Sequence, residues 1–190
     1  MPNITSEFIK EVHDNSDTLV SEKELTQAFN KLALVLEKDL ANENPIFVCC
    51  MNGGLFATSE IVKRISAPLQ LDYVHATRYV NNNGRGKELK WVKHNNIDFK
   101  DRVVVLVDDI LDGGVTLAEI KKFYEKNGAK KVLTVVMLNK LTNRDPGGLY
   151  KADYVGLDVS DRYLYGFGLD YHGFLRNIPS IHAVHEKHMI

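Results

Sequence analysis

The chain has 190 residues, 44% of them hydrophobic, and a formal net charge of −1, enough apolar material for one sizeable α/β core and no sign of a second domain. This near-neutral balance argues against a general nucleic-acid or membrane surface. No stretch has the apolar length of a transmembrane helix and no charged-then-apolar leader opens the chain, so a cytoplasmic protein is expected.

Ser21 to Glu24 has the form of a capping box, and Leu25, Phe29, Leu32, Leu36 and Leu40 follow it at helical spacing. A strand is expected from Ile46 to Cys50. It holds the only two cysteines, Cys49 and Cys50, which as strand neighbours point to opposite faces and serve as small buried hydrophobes rather than a disulfide. A helix from about Phe56 to Arg64 and a strand from Leu69 to Ala76 come next. Residues 78–91 are polar and turn-rich with no apolar period, which predicts a mobile loop. After the strand that starts at Val103, a helix should run from Leu117 to Asn127 and stop at Gly128, followed by a strand from Lys131 to Leu138. This alternation is that of parallel βαβ units. Beyond Lys140 come short strands and many aromatics. His182, His185 and His188 would share a helix face and suit zinc or nickel, but Ile181, Ala183 and Val184 read as a strand that scatters them, leaving a polar tail.

The densest chemistry follows Val103. Five consecutive β-prone apolar residues, Val103 to Val107, are too many for a strand with one wet face, so this strand should lie mid-sheet with both faces covered. Its carboxyl end should face a crevice, the usual ligand position of open α/β sheets. Asp108, Asp109 and Asp112 would be held at that rim. Gly113 and Gly114 let the backbone approach a phosphate, with Val115 and the Thr116 hydroxyl at the start of the next helix. The acidic pair is wrong for a bare phosphate but suits ribose hydroxyls or a hydrated Mg²⁺. No GxxxxGK[ST] loop is present. Asp112 is also suited to cap the following helix.

Strand, acidic pair, Asp112, glycine turn and Thr116 together resemble the phosphoribosyl pyrophosphate (PRPP) motif of type I phosphoribosyltransferases. Three further segments are similar to the hypoxanthine-guanine branch, in that family's order: Val48 to Gly54, Lys140 after its strand, and Asp161 to Tyr171 followed by Arg176. The resemblance spans roughly Pro45 to Arg176. It implies a mainly parallel twisted sheet flanked by helices, in a single domain of residues 1–190. The core would be about 21–140, a small hood would come from 1–20 and 141–190, and the lid would be 78–91.

The resemblance further implies a purine salvage enzyme that transfers the phosphoribosyl group of PRPP to hypoxanthine or guanine, with xanthine a further candidate base. IMP or GMP and pyrophosphate are the products. Asp112 would accept the purine N7 proton as N9 attacks. Asp108, Asp109 and residues 112–116 would hold ribose and 5′-phosphate; Asn52, Gly53 and Arg176 would hold pyrophosphate. Lys140, Tyr163, Leu164 and Asp170 would form the purine site, Lys140 reading the 6-oxo group. Arg78 and Tyr79 would belong to the lid, and Asp170 with Asp108 and Asp109 would serve Mg²⁺. A non-proline cis bond near Met51 and Asn52 and a homodimer or homotetramer are also implied. The chain departs from the family at Gly113, where a threonine or serine is usual, at Asn52, where some members carry a lysine, and at Arg78, where serine is usual. A PRPP- or nucleotide-sensing regulator on the same fold is the alternative, though no basic surface or appended DNA-binding domain is evident. In a phospho-receiver domain the acidic pair follows the first strand, far earlier than Asp108 and Asp109.

Overall fold

The computed structural model describes residues 4–80 and 87–190, with side chains described outside 77–80 and 87–89. In chain order the elements are α1 (Ser6–Asp14), β1 (Asp17–Val20), α2 (Glu22–Leu40), β2 (Ile46–Met51), α3 (Gly54–Val62), β3 (Gln70–Val80), β4 (Lys87–Lys93), β5 (Val103–Leu111), α4 (Val115–Lys126), β6 (Lys131–Lys140), β7 (Tyr154–Val159), β8 (Leu164–Tyr165) and β9 (Ile181–Ala183). No helix among the described residues is long and apolar enough to cross a membrane.

The main sheet has the order β4-β3-β2-β5-β6-β7, parallel throughout except for the antiparallel β3–β4 pair. The valine run takes its central place because both of its faces are apolar. Val103, Val105 and Val107 share one apolar cluster with Leu25, Phe29 and Ile61 of α2 and α3, while Val104 and Leu106 share another with Leu117, Ile120 and Tyr124 of α4. Full burial of each such side chain is worth roughly 1.5–3 kcal/mol. β2 has β3 on one side and β5 on the other, so the winding reverses between β2 and β5. The carboxyl ends of β2, β5 and β6 therefore border one crevice.

α2 begins as its sequence implies: Ser21 Oγ accepts the Glu24 N–H at 3.3 Å, and the Glu24 carboxylate accepts the Ser21 N–H at 2.8 Å. Gly128 follows α4 with φ +96°. Cys49 and Cys50 are buried free thiols.

A second sheet, β1-β9-β8, joins the two ends of the chain in antiparallel pairs. It is no separate body, because Val20, Leu164, Ile181 and Ala183 belong to the same apolar cluster as α2 and the main sheet. Ile9 and Val12 of α1 pack onto it through Tyr165, Tyr171 and Val184.

Three sequence expectations change. β3 runs on to Val80 and returns as β4, with Arg78 opposite Leu89 and Tyr79 opposite Glu88, so most of 78–91 is a ribbon rather than a loop. A two-stranded ribbon satisfies its backbone through its partner and needs no apolar period. Residues 81–86 of the expected lid, and the side chains of Arg78 and Tyr79, lie outside the described residues. The strand expected to end at Val107 continues through the acidic pair to Leu111. The C-terminal histidines do not form a polar tail: His182 and His188 are buried, and only His185 is exposed. His182 stays buried because Ser180 Oγ pairs with its Nε2 at 2.8 Å and its ring stacks on Tyr165.

Candidate active site

The acidic pair stands near the carboxyl end of β5, half-buried. Asp108 Oδ1 accepts the Asp109 N–H at 3.0 Å and Asp109 Oδ1 accepts the Ile110 N–H at 2.7 Å. Burial pushes the Asp108 carboxyl well above its ordinary range, and the neighbouring Asp109 charge adds to the effect. Asp109 is raised as well, again by burial, and less so because the Ile110 N–H, Asp108 and the Arg176 charge oppose the shift. A desolvated carboxylate pair of this kind favours a cation or hydroxyl donors beside it.

Two glycine loops close on this pair. A Cβ on Gly53 would lie 1.9 Å from Asp109 Oδ2, and one on Gly54 would lie 2.5 Å from the Val107 carbonyl oxygen. Gly168, at φ +103°, would place a Cβ 2.2 Å from the Gly53 carbonyl oxygen. The loop after β2 thus lies between Asp109 and the segment after β8. The Met51–Asn52 peptide bond is cis.

Gly114 is the N-cap of α4, at φ +79°, and no side chain caps the helix. Asp112 therefore does not cap α4. Its carboxylate instead turns to β6. The glycine loop is braced from below: the Asp145 N–H donates to the Gly113 carbonyl and the Leu149 N–H to the Gly114 carbonyl, both at 3.0 Å. A cavity of about 230 Å³ opens there, lined by Met51, Asp108, Asp112 and residues 113–116.

Lys140 is the last residue of β6. Its side chain is 13% exposed, and its Nζ lies 3.1 Å from Asp112 Oδ2 and 3.1 Å from Asp161 Oδ1. The Thr142 hydroxyl, which donates to Asp161 at 2.9 Å, and then Lys140 hold the Asp161 carboxyl below its ordinary range. Asp170 accepts the Gly173 N–H at 2.7 Å and pairs with Arg176 at 2.6 Å. Arg176 also donates to the Gly168 carbonyl, so it ties Asp170 to the loop that meets Gly53. Tyr163 is half-buried, with its ring 5.6 Å from that of Tyr171. The Leu164 side chain belongs to the main core.

A phosphoribosyl transferase domain model matches residues 15–172, most of the chain and all of the crevice except Arg176. The chain belongs to this family. It is a phosphoribosyltransferase with the type I fold. It is 30% identical to the hypoxanthine-guanine phosphoribosyltransferase of Streptococcus pneumoniae strain R6, over 92% of this chain and 96% of that one. Identity to the Bacillus subtilis protein of the same name is 29%, over 89% of this chain and 93% of that one. A crystal structure of a hypoxanthine phosphoribosyltransferase from Staphylococcus aureus superposes with a TM-score of 0.85 at 25% identity, covering 92% of this chain and 95% of that one.

The phosphoribosyltransferase gathers Asn52, Gly53, the acidic pair, Asp112, the glycine loop and Lys140 at neighbouring ends of β2, β5 and β6, with Asp170 and Arg176 on the segment that follows β8. Sequence reasoning missed three members of this surrounding. Asp161 opens the segment that resembles the family, but nothing in the sequence points to its pairing with Lys140. Arg144 carried no local signal. The run Asp145-Pro146-Gly147-Gly148 marks a turn, but nothing local tells that the turn braces Gly113.

The donor set fits Mg²⁺. This ion keeps waters and substrate oxygens and takes one or two carboxylates from the protein. Asp170 and the desolvated Asp108–Asp109 pair offer such carboxylates.

Proposed function

We propose that this phosphoribosyltransferase joins hypoxanthine or guanine to PRPP, giving IMP or GMP and pyrophosphate in purine salvage. The observation that carries this reading is the Lys140–Asp112 contact of 3.1 Å beside a glycine loop and a desolvated acidic pair. It sets a donor-only ammonium next to a carboxylate where the edge of a base would lie. The ammonium satisfies a 6-oxo group and not the 6-amino group of adenine. Asp112 takes the N7 proton as N9 bonds to C1 of the ribose and the C1–O bond to pyrophosphate breaks. General-base help of this kind is worth about 10²- to 10⁴-fold.

In the same reading, residues 112–116 hold the 5′-phosphate through backbone N–H groups and the Thr116 hydroxyl, and Asp108 with Asp109 holds the ribose hydroxyls. Asn52 and Gly53 present backbone to pyrophosphate, and Arg176 grips it as a planar fork. Tyr163 stacks on the purine, with the backbone of Leu164 and the Asp170 carboxylate beside it. Asp170 and either Asp108 or Asp109 would hold Mg²⁺, which would supply positive charge beside the leaving pyrophosphate. The β3–β4 ribbon carries Arg78 and Tyr79 in a lid that excludes water from the sugar cation. Xanthine is a further candidate base. Cytoplasmic location and assembly as a homodimer or homotetramer complete the proposal; exposed Leu71, Tyr73 and Val92 support an assembled state.

The test is pyrophosphate release on mixing the full chain with PRPP and Mg²⁺ plus hypoxanthine or guanine. Release with either base supports the reading. Tight PRPP binding with no release would move the chain to the class of regulators.

A further inference from the structure

We infer that Arg144 is a positioning residue that fixes Asp112 and Lys140 at their working separation; this rests on the proposed reaction. The β5–β6 ladder ends at the pair Leu111 and Asn139, one residue short of both functional side chains. The Arg144 guanidinium takes over at that point. The two N–H groups of its Nη1 are shared among the carbonyls of Leu111 at 3.0 Å, Asp112 at 2.8 Å and Lys140 at 3.0 Å, and its Nη2 donates to Asn139 Oδ1. Nε reaches the Tyr150 carbonyl at 3.3 Å.

One planar cation therefore links the end of β5, the end of β6 and the segment that follows. With three carbonyls around one terminal nitrogen, the backbone of Asp112 and that of Lys140 cannot separate without breaking charge-assisted bonds. The next residue, Asp145, donates from its backbone to the Gly113 carbonyl, so the same turn also braces the phosphate loop. A lysine at this position offers a single point of donation in place of the fork. Arg144 acts through its two neighbours and has no assigned contact with substrate. A displacement of about 1 Å in a reacting group can cost on the order of 10²-fold in rate.

The experiment compares Arg144→Ala and Arg144→Lys with Lys140→Ala and the double variant Arg144→Ala/Lys140→Ala, all in the full chain. Amide hydrogen exchange is read over residues 111–118 and 139–145, and KM for hypoxanthine and the hypoxanthine-to-adenine ratio of kcat/KM are measured at saturating PRPP. Expected are faster exchange in both segments, a KM for hypoxanthine raised about tenfold, and a fallen base ratio, with Arg144→Lys intermediate. In the Lys140→Ala background, Arg144→Ala should leave the base ratio unchanged, because its effect passes through Lys140. Unaltered exchange, or a loss of base selectivity fully additive with that of Lys140→Ala, would overturn the inference. If Arg144→Ala does not fold, Arg144→Lys carries the same comparison. Absence of turnover in the unmodified chain would overturn the proposed reaction instead, and the exchange measurement would still decide whether Arg144 links the two strand ends.

Discussion

Lys140 Nζ lies 3.1 Å from Asp112 Oδ2, so the residue proposed to read the base and the residue proposed to take its proton form one ion pair. The same ammonium also meets Asp161 at 3.1 Å. On the proposed reaction Asp112 takes up the purine proton and loses its charge, which weakens its hold on Lys140. Asp161, anchored by Thr142, keeps the ammonium in place when that happens.

Asp161→Asn should therefore weaken base binding more than chemistry. Loss of one charged partner from a largely buried ammonium is expected to raise KM for hypoxanthine by up to about tenfold. kcat should change by less than about threefold, since no group that moves a proton is lost. Steady-state kinetics with the base varied at saturating PRPP makes the separation. A collapse of kcat at unchanged KM would show that Asp161 has been given the wrong role.

Gly113 stands where relatives of this motif usually carry a hydroxyl residue, and the packing gives a reason. A Cβ there would lie 2.5 Å from Asp145 Oδ2. Gly113→Thr alone should raise KM for PRPP by about tenfold, on the order of 1.4 kcal/mol, because either Asp145 or the phosphate loop must move. Combined with Asp145→Ala, which clears that space, the threonine should recover much of the loss. Titration of PRPP against both variants checks this, and equal losses in the two would remove Asp145 from the explanation.

The β1-β9-β8 sheet should respond to pH through His182. Its pKa is held below the ordinary 6.5 by burial first and by the His13 charge second, and the two rings are 4.9 Å apart. In the unfolded chain His182 takes up a proton near pH 6.5, whereas in the folded chain it does so only at lower pH. The folded state then binds fewer protons, so stability present above about pH 6.5 is lost as pH falls toward the folded pKa. Thermal midpoints between about pH 7.5 and 5 should decline, and His182→Gln should flatten that slope whatever it does to the midpoint at pH 7.5. An unchanged slope would assign the acid sensitivity to other groups.

What was legible in the chain was what depends on local pattern. The valine run announced a central strand covered on both faces, and Ser21 with Glu24 announced the start of α2. The acidic pair and glycine turn pointed to the crevice because their chemistry lies within a few residues. Contacts between distant segments left no such trace. Nothing near Gly113 says that residues 145–149 lie under it, and nothing near Arg144 says that a strand has run out of partners beside it. Residues 78–91 read as a loop because the β3–β4 pairing rests on backbone hydrogen bonds, which leave no apolar period in the sequence. His182 and His188 read as surface because burial of a histidine depends on Ser180, Tyr165 and α1, which the local sequence does not show. Asp112 suited a helix cap by position, but the glycine turn carries α4 past it and leaves the carboxylate for Lys140.

The most direct test is a comparison of bases. The unmodified chain, Lys140→Ala and Asp112→Asn are each supplied with PRPP, Mg²⁺ and, separately, hypoxanthine, guanine and adenine, and nucleotide formation is followed. Turnover of hypoxanthine or guanine but not adenine is expected. Lys140→Ala should lose most of its preference for the 6-oxo bases, and Asp112→Asn should lose about 10²- to 10⁴-fold in kcat. Adenine used as well as hypoxanthine by the unmodified chain, or a Lys140→Ala variant with undiminished selectivity, would contradict the assignment of this crevice to 6-oxopurines.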